Sequence, residues 1–112
     1  MNVDQAFAGL LKSKSKRTQR LLRREFLRVS VASALQRMRA SAELTQHELA
    51  TKAGMTQSEV SRMERAGGAR TPELHTLVRF AHVCGYELRL VASPKERRKG
   101  EKPLTAHLQP LE

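Results

Sequence analysis

The 112-residue sequence predicts an all-α fold with an amino-terminal helical extension and one short carboxy-terminal strand. Three observations predict it. Apolar residues recur at three- and four-residue spacings over most of residues 3–84. Thr and Glu stand three apart at Thr45/Glu48 and again at Thr56/Glu59, a mark of helix starts. Apolar residues then alternate with polar ones from Tyr86 to Leu90, the mark of a strand. Apolar residues make up 39% of the chain and Trp is absent, so one small core is expected. Small helical domains often add a dimer interface to such a core.

Val3, Phe7, Leu10 and Leu11 share one helical face, so residues 3–11 form a short amphipathic helix. Lys12 to Lys16 alternate Lys with Ser and read as a loop. A long helix follows with two stripes: Leu22, Phe26 and Val29, then Leu27, Val31, Leu35 and Met38. Two stripes imply two packing surfaces. The pattern ends near Ala42 and Glu43. Thr45 opens the next helix and Gly54 ends it, since helices commonly leave through a left-handed residue. Thr56 opens another, and both starts read as capping boxes. Two capped helices around a glycine turn describe a helix-turn-helix, whose second helix lies in the major groove in DNA-binding versions.

Beyond a loop at Gly67 and Gly68, Thr71 reads as a cap and Pro72 as the first residue of a further helix. Leu74, Leu77, Val78, Ala81 and Cys84 line its apolar face, and Gly85 ends it. The strand places Tyr86, Leu88 and Leu90 on one side. One strand alone leaves backbone groups unpaired, and no second strand is evident. The expected solution is the same strand from a second copy, which makes Tyr86, Leu88 and Leu90 dimerisation residues. Residues 93–112 hold three Pro, many charges and little periodicity, and read as a disordered tail. The expected organisation is a basic amphipathic extension at 1–29, a helix-turn-helix domain with its strand at 30–92, and the tail.

The net charge is +10. Lys12 to Arg39 hold ten basic residues against Glu25 alone, while Ala40 to Ala92 balance six against six. A basic stripe beside a helix-turn-helix suits a nucleic acid. His47, His75, His82, His107 and Cys84 lack metal-ligand spacing, so no metal site is expected. No nucleophile with its base, phosphate loop or carboxylate pair appears, so neither enzyme activity nor a cofactor is expected. No apolar run is long enough to span a membrane and no secretory signal is evident; a cytoplasmic location with Cys84 reduced is expected.

On a helix opening at Thr56, Val60 and Met63 point inward with Leu49, Ala53 and Met55. Gln57, Ser58, Ser61, Arg62 and Arg65 share the outer face. Gln pairs with adenine at N6 and N7, and Arg with guanine at O6 and N7. Gln46 follows the cap of the preceding helix, where its amide and nearby backbone N–H groups can meet a phosphate. Arg70 and Thr71 can do the same from the following loop. Basic residues between Arg17 and Arg28 can add phosphate contacts.

The run from Leu44 to Ala50, the run from Gly54 to Arg65, and Pro72, Leu74, Leu77, Ala81 and Gly85 resemble the phage repressor and Cro type of helix-turn-helix, the XRE family. The resemblance covers roughly residues 30–91. It implies a five-helix repressor-like domain that docks as a homodimer on an inverted-repeat operator in double-stranded DNA. It implies Gln46 as a phosphate contact and Gln57, Ser58 and Arg62 as base readers. It also implies an ion pair between Arg39 and Glu64. Glu43 stands where the family commonly has Gly, which implies strain or another turn geometry. The layout, with its Gly85 to Val91 strand ending near Pro94, is similar to HigA-type antitoxins. That likeness implies autorepression and neutralisation of a RelE/HigB-type toxin. A free-standing repressor of a phage or mobile element is the alternative.

Overall fold

A computed structural model describes residues 3–65, 71–96 and 100–110. Among these described residues, five helices and two strands run in the order α1 (Val3–Leu11), α2 (Lys16–Ser41), α3 (Gln46–Ala53), α4 (Gln57–Met63), α5 (Leu74–Val83), β1 (Leu88–Ala92) and β2 (Leu104–Leu108). Residues 30–92 thus hold the end of α2, three whole helices and β1, while α1 and the first half of α2 precede residue 30.

Ser15 caps α2, its Oγ accepting the Thr18 N–H at 3.2 Å. At 1.5 Å per residue this 26-residue helix is about 39 Å long. Its two stripes serve two surfaces. Leu35 is buried, with Val31 and Met38 packed against the core. Phe26 stacks on Phe7 of α1, ring centroids 4.4 Å apart, and Leu11 is buried where α1 ends. Leu27 departs from its stripe and is 66% exposed.

The core joins Leu35 of α2, Leu49 and Ala50 of α3, Val60 of α4 and Phe80 of α5, with Cys84 just beyond. Leu49, Val60 and Phe80 are fully buried. Each such side chain contributes about 1.5–3 kcal/mol relative to exposure. Burial also pushes the Cys84 thiol pKa up.

Glu43 sits at φ +57°, in the left-handed region, so the turn keeps the backbone a Gly would adopt and Glu carries the strain. The last helix corrects the sequence reading. Thr71 does not cap it and Pro72 is not its first residue. Glu73 is the cap residue, extended at ψ 151° and with no side-chain capping bond, while its carbonyl accepts the Thr76 and Leu77 N–H groups. Its carboxylate lies 3.3 Å from His75 Nδ1 instead. Cys84 stands one residue past α5, as its C-cap. Gly85 at φ +81° then turns the chain, and the Tyr86 N–H reaches the Ala81 carbonyl at 2.8 Å.

The largest correction concerns the strand. Its partner lies within the chain. β2 pairs antiparallel with β1, in register Leu88 with Leu108, Leu90 with Ala106 and Ala92 with Leu104. Residues 104–108, expected to be disordered, are therefore a strand, and the sheet has two strands rather than one. The physical reason is pattern matching. Leu104, Ala106 and Leu108 alternate in phase with Leu88, Leu90 and Ala92, so both strands turn apolar side chains to one face. Across the other face the Glu87 carboxylate accepts from Arg89 Nε at 2.9 Å and engages His107 Nδ1. The His107 bond first, then Arg89, holds Glu87 below the usual carboxylate range. Pro103 precedes β2, a position that costs no ladder bond.

Candidate nucleic-acid interface

The helix-turn-helix is built from local bonds. Thr45 Oγ1 accepts the Glu48 N–H and Glu48 Oε1 accepts the Thr45 N–H, both at 3.0 Å. This reciprocal box lowers the Glu48 pKa, chiefly through the Thr45 backbone N–H. Gly54 closes α3 at φ +66°, ψ +35°, and the Met55 N–H reaches back to the Ala50 carbonyl at 2.9 Å. Thr56 then starts α4, its Oγ1 accepting the Glu59 N–H at 3.1 Å. Here only half of the expected capping box forms. The Glu59 side chain makes no return bond to the Thr56 N–H.

Two long-range contacts fix the tilt of α4. Arg39 of α2 donates from Nε and Nη2 to the Glu64 carboxylate, at 2.8 Å for the shortest bonds, and from Nη1 to the Leu44 carbonyl at 2.9 Å. Glu64 is 3% exposed, so this pair is largely out of water. The Glu64 bond raises the Arg39 pKa, against the opposing effect of burial. The ion pair implied by the family resemblance is present. Gln36 adds a bond from Nε2 to the Glu64 carbonyl. Both bonds grip the carboxy-terminal end of α4, leaving its amino-terminal residues clear.

With Val60 sealed into the core, the opposite face of α4 turns outward. Gln57, Ser58, Arg62 and Arg65 are exposed and Ser61 is half-buried. These five line one shallow concavity with Gln46 of α3. Thr56 stands beside it with its hydroxyl engaged as the cap. Of the site residues expected from sequence, the structure brings together Gln46, Gln57, Ser58, Ser61, Arg62 and Arg65. Arg70 lies outside the described residues. The concavity carries amide, hydroxyl and guanidinium groups, a donor-rich set suited to base edges and phosphates.

The residues expected to dimerise are spread out. Tyr86 Oη donates to Ser41 Oγ at 2.9 Å, Leu88 is half-buried opposite Leu108, and Leu90 is 61% exposed. Sequence reasoning missed Gln36, whose partner is 28 residues away, beyond the reach of local spacing. It also missed that Arg24 and Arg28 lie beside Arg62 and Arg65. A signal for that existed: positions 24, 28, 31, 35 and 38 continue a single helical face, and the last three meet the core.

No described helix is long and apolar enough to cross a membrane. Comparison with curated proteins and with solved structures returned no match. The helix-turn-helix family model matches residues 35–91, just over half of the chain. That span begins in α2, ends in β1, and contains the capped pair α3 and α4, their glycine turn and the core beneath them. The chain belongs to the XRE-type helix-turn-helix family, whose members are DNA-binding transcription regulators.

Proposed function

We propose that the protein is a sequence-specific operator-binding repressor, acting as a homodimer on an inverted repeat, and the antitoxin of a toxin–antitoxin operon. The observation that carries the operator reading is the outward polar face of α4. Gln57, Ser58 and Arg62 project from a helix whose back is closed by Val60 and whose end is held by Arg39 and Glu64. Such a helix can enter the major groove with its rotamers uncommitted to other partners. Gln46, at the start of α3, is assigned to phosphate, with Ser61, Arg65 and Thr56 flanking; Arg70 is assigned the same role from the sequence alone. A two-fold dimer sets two α4 helices about 34 Å apart, one turn of B-DNA. The edge of β1 away from β2 and the exposed Leu90 side chain support strand-mediated pairing. The bound dimer excludes polymerase.

The test is fluorescence anisotropy on a selected inverted repeat across a salt series. The logarithm of affinity is expected to fall with the logarithm of salt by about 0.9 per phosphate neutralised. Arg62→Ala or Gln57→Ala should relax discrimination at one base position per half-site by about 1–3 kcal/mol. Gln46→Ala should weaken all sequences alike. A salt-independent affinity, or a sequence-selective loss at Gln46, would contradict the reading.

The antitoxin half is supported by the extension. The Phe7–Phe26 stack holds α1 on α2 while Leu10 (68% exposed), Leu21 (54%) and Leu22 (37%) stay in solvent, an apolar surface able to grip a toxin. Co-expression with the adjacent reading frame should give a stable complex and rescue growth. Without such a neighbour the protein is a free-standing repressor.

A further inference from the structure

Between the outer half of α2 and the end of α4 lies a pocket of about 150 Å³. Its walls are apolar, formed by Leu27 and Val31 of α2, Met63 of α4 and Pro72 before α5. Its rim is cationic, with Arg24 and Arg28 on one side and Arg62 and Arg65 on the other. Arg28 is already paired, its Nη1 3.0 Å from Glu25 Oε1. Among the described residues no acidic side chain pairs with Arg24, Arg62 or Arg65. Guanidinium groups gathered around an apolar floor repel one another, and an anion placed among them removes that cost.

The floor decides which anion. A bare inorganic ion would lose hydration against Leu27 and Met63 without enough donors to replace it. A molecule with an apolar body and one anionic end matches both parts. A cavity of about 150 Å³ is the size that holds a single benzene ring. Arginine grips a carboxylate at two points and also stacks on an aromatic face.

We propose that this pocket binds a one-ring aromatic carboxylate as an effector. The ring would lie on Leu27 and Met63 and the carboxylate would meet the arginine rim. Arg62 and Arg65 line both this pocket and the concavity that holds Gln57. A guanidinium committed to the ligand is withdrawn from a base or phosphate, so occupancy weakens operator binding. This coupling rests on the operator reading; the binding itself does not.

The experiment is a 19F NMR titration of 4-fluorobenzoate into the full chain without DNA. Saturable one-site binding is expected. Arg24→Ala and Leu27→Glu should each weaken it about tenfold or more, because each removes or opposes a charge-assisted contact. Leu27 is 66% exposed, so its replacement spares the core, and Arg24→Ala tests the site independently. Arg79→Ala, which removes an equal charge from an exposed position of α5, should leave binding unchanged. Absence of saturation at millimolar ligand, equal competition by inorganic phosphate, or equal loss in Arg79→Ala overturns the site. Equal competition by phosphate would instead mark a seat for the DNA backbone. Operator anisotropy with and without benzoate then reads the coupling. Ligand binding with unchanged operator affinity overturns the effector role. Failure to bind any DNA sinks the operator reading and leaves the NMR result standing.

Discussion

Arg39 is a residue whose loss should cost this domain heavily. Replacing it with Met keeps much of its stem but leaves the Glu64 carboxylate, 3% exposed, without the guanidinium that donates to both its oxygens. Removing one partner of a buried pair costs about 3–5 kcal/mol, because the remaining charge is desolvated and unanswered. A domain of this kind has about 5–15 kcal/mol in total. At about 4 °C per kcal/mol for this size, Tm should fall by about 12–20 °C. The variant should also gain a pH dependence. A buried carboxylate without a partner has its folded pKa raised, so the folded state binds the extra proton. Stability of Arg39→Met should therefore recover as pH falls through that raised value and worsen as pH rises. Thermal unfolding by circular dichroism between pH 5 and 8 reads both effects. The double variant Arg39→Met with Glu64→Leu should regain most of the loss, since no charge is left to desolvate. A single-variant loss below about 1 kcal/mol, or a double variant no better than Arg39→Met, would refute the reasoning.

Three further outcomes are expected. Glu43→Gly should relieve the positive φ and raise stability by up to about 1 kcal/mol, offset in part by the looser unfolded chain, as denaturant midpoints would record. Glu87 has a depressed pKa in the folded chain, so its contribution to the hairpin is present above the ordinary carboxyl value and disappears as pH falls through the folded one. Amide exchange in 104–108 should accelerate selectively in that acid window, and uniform protection down to pH 2 would contradict it. Leu90→Glu places a charge on the exposed apolar face of β1 and should yield monomers in sedimentation; a persistent dimer would move the interface elsewhere.

The sequence by itself determined the parts that depend on neighbours in the chain. Thr45 with Glu48, Thr56, Gly54 and Gly85 fix where helices start and stop, because capping bonds and left-handed residues act over a few positions. The outward face of α4 was legible for the same reason: Val60 and Met63 at helical spacing oblige Gln57, Ser58 and Arg62 to point away. Tertiary structure decided what spacing cannot reach. The partner of β1 stands after two prolines and a charged run, and its short Leu-Thr-Ala-His-Leu pattern gains meaning only against a strand in phase with it. Glu73, rather than Thr71, starts α5: its carbonyl takes the Thr76 and Leu77 N–H groups, while its side chain makes no capping bond. In the sequence Arg24 and Arg28 read only as part of a basic run able to contact phosphates; the packing of α2 sets them against Arg62 and Arg65. Local hydrogen bonds are written in short words; pairing, burial and charge convergence depend on which distant segments the core draws together.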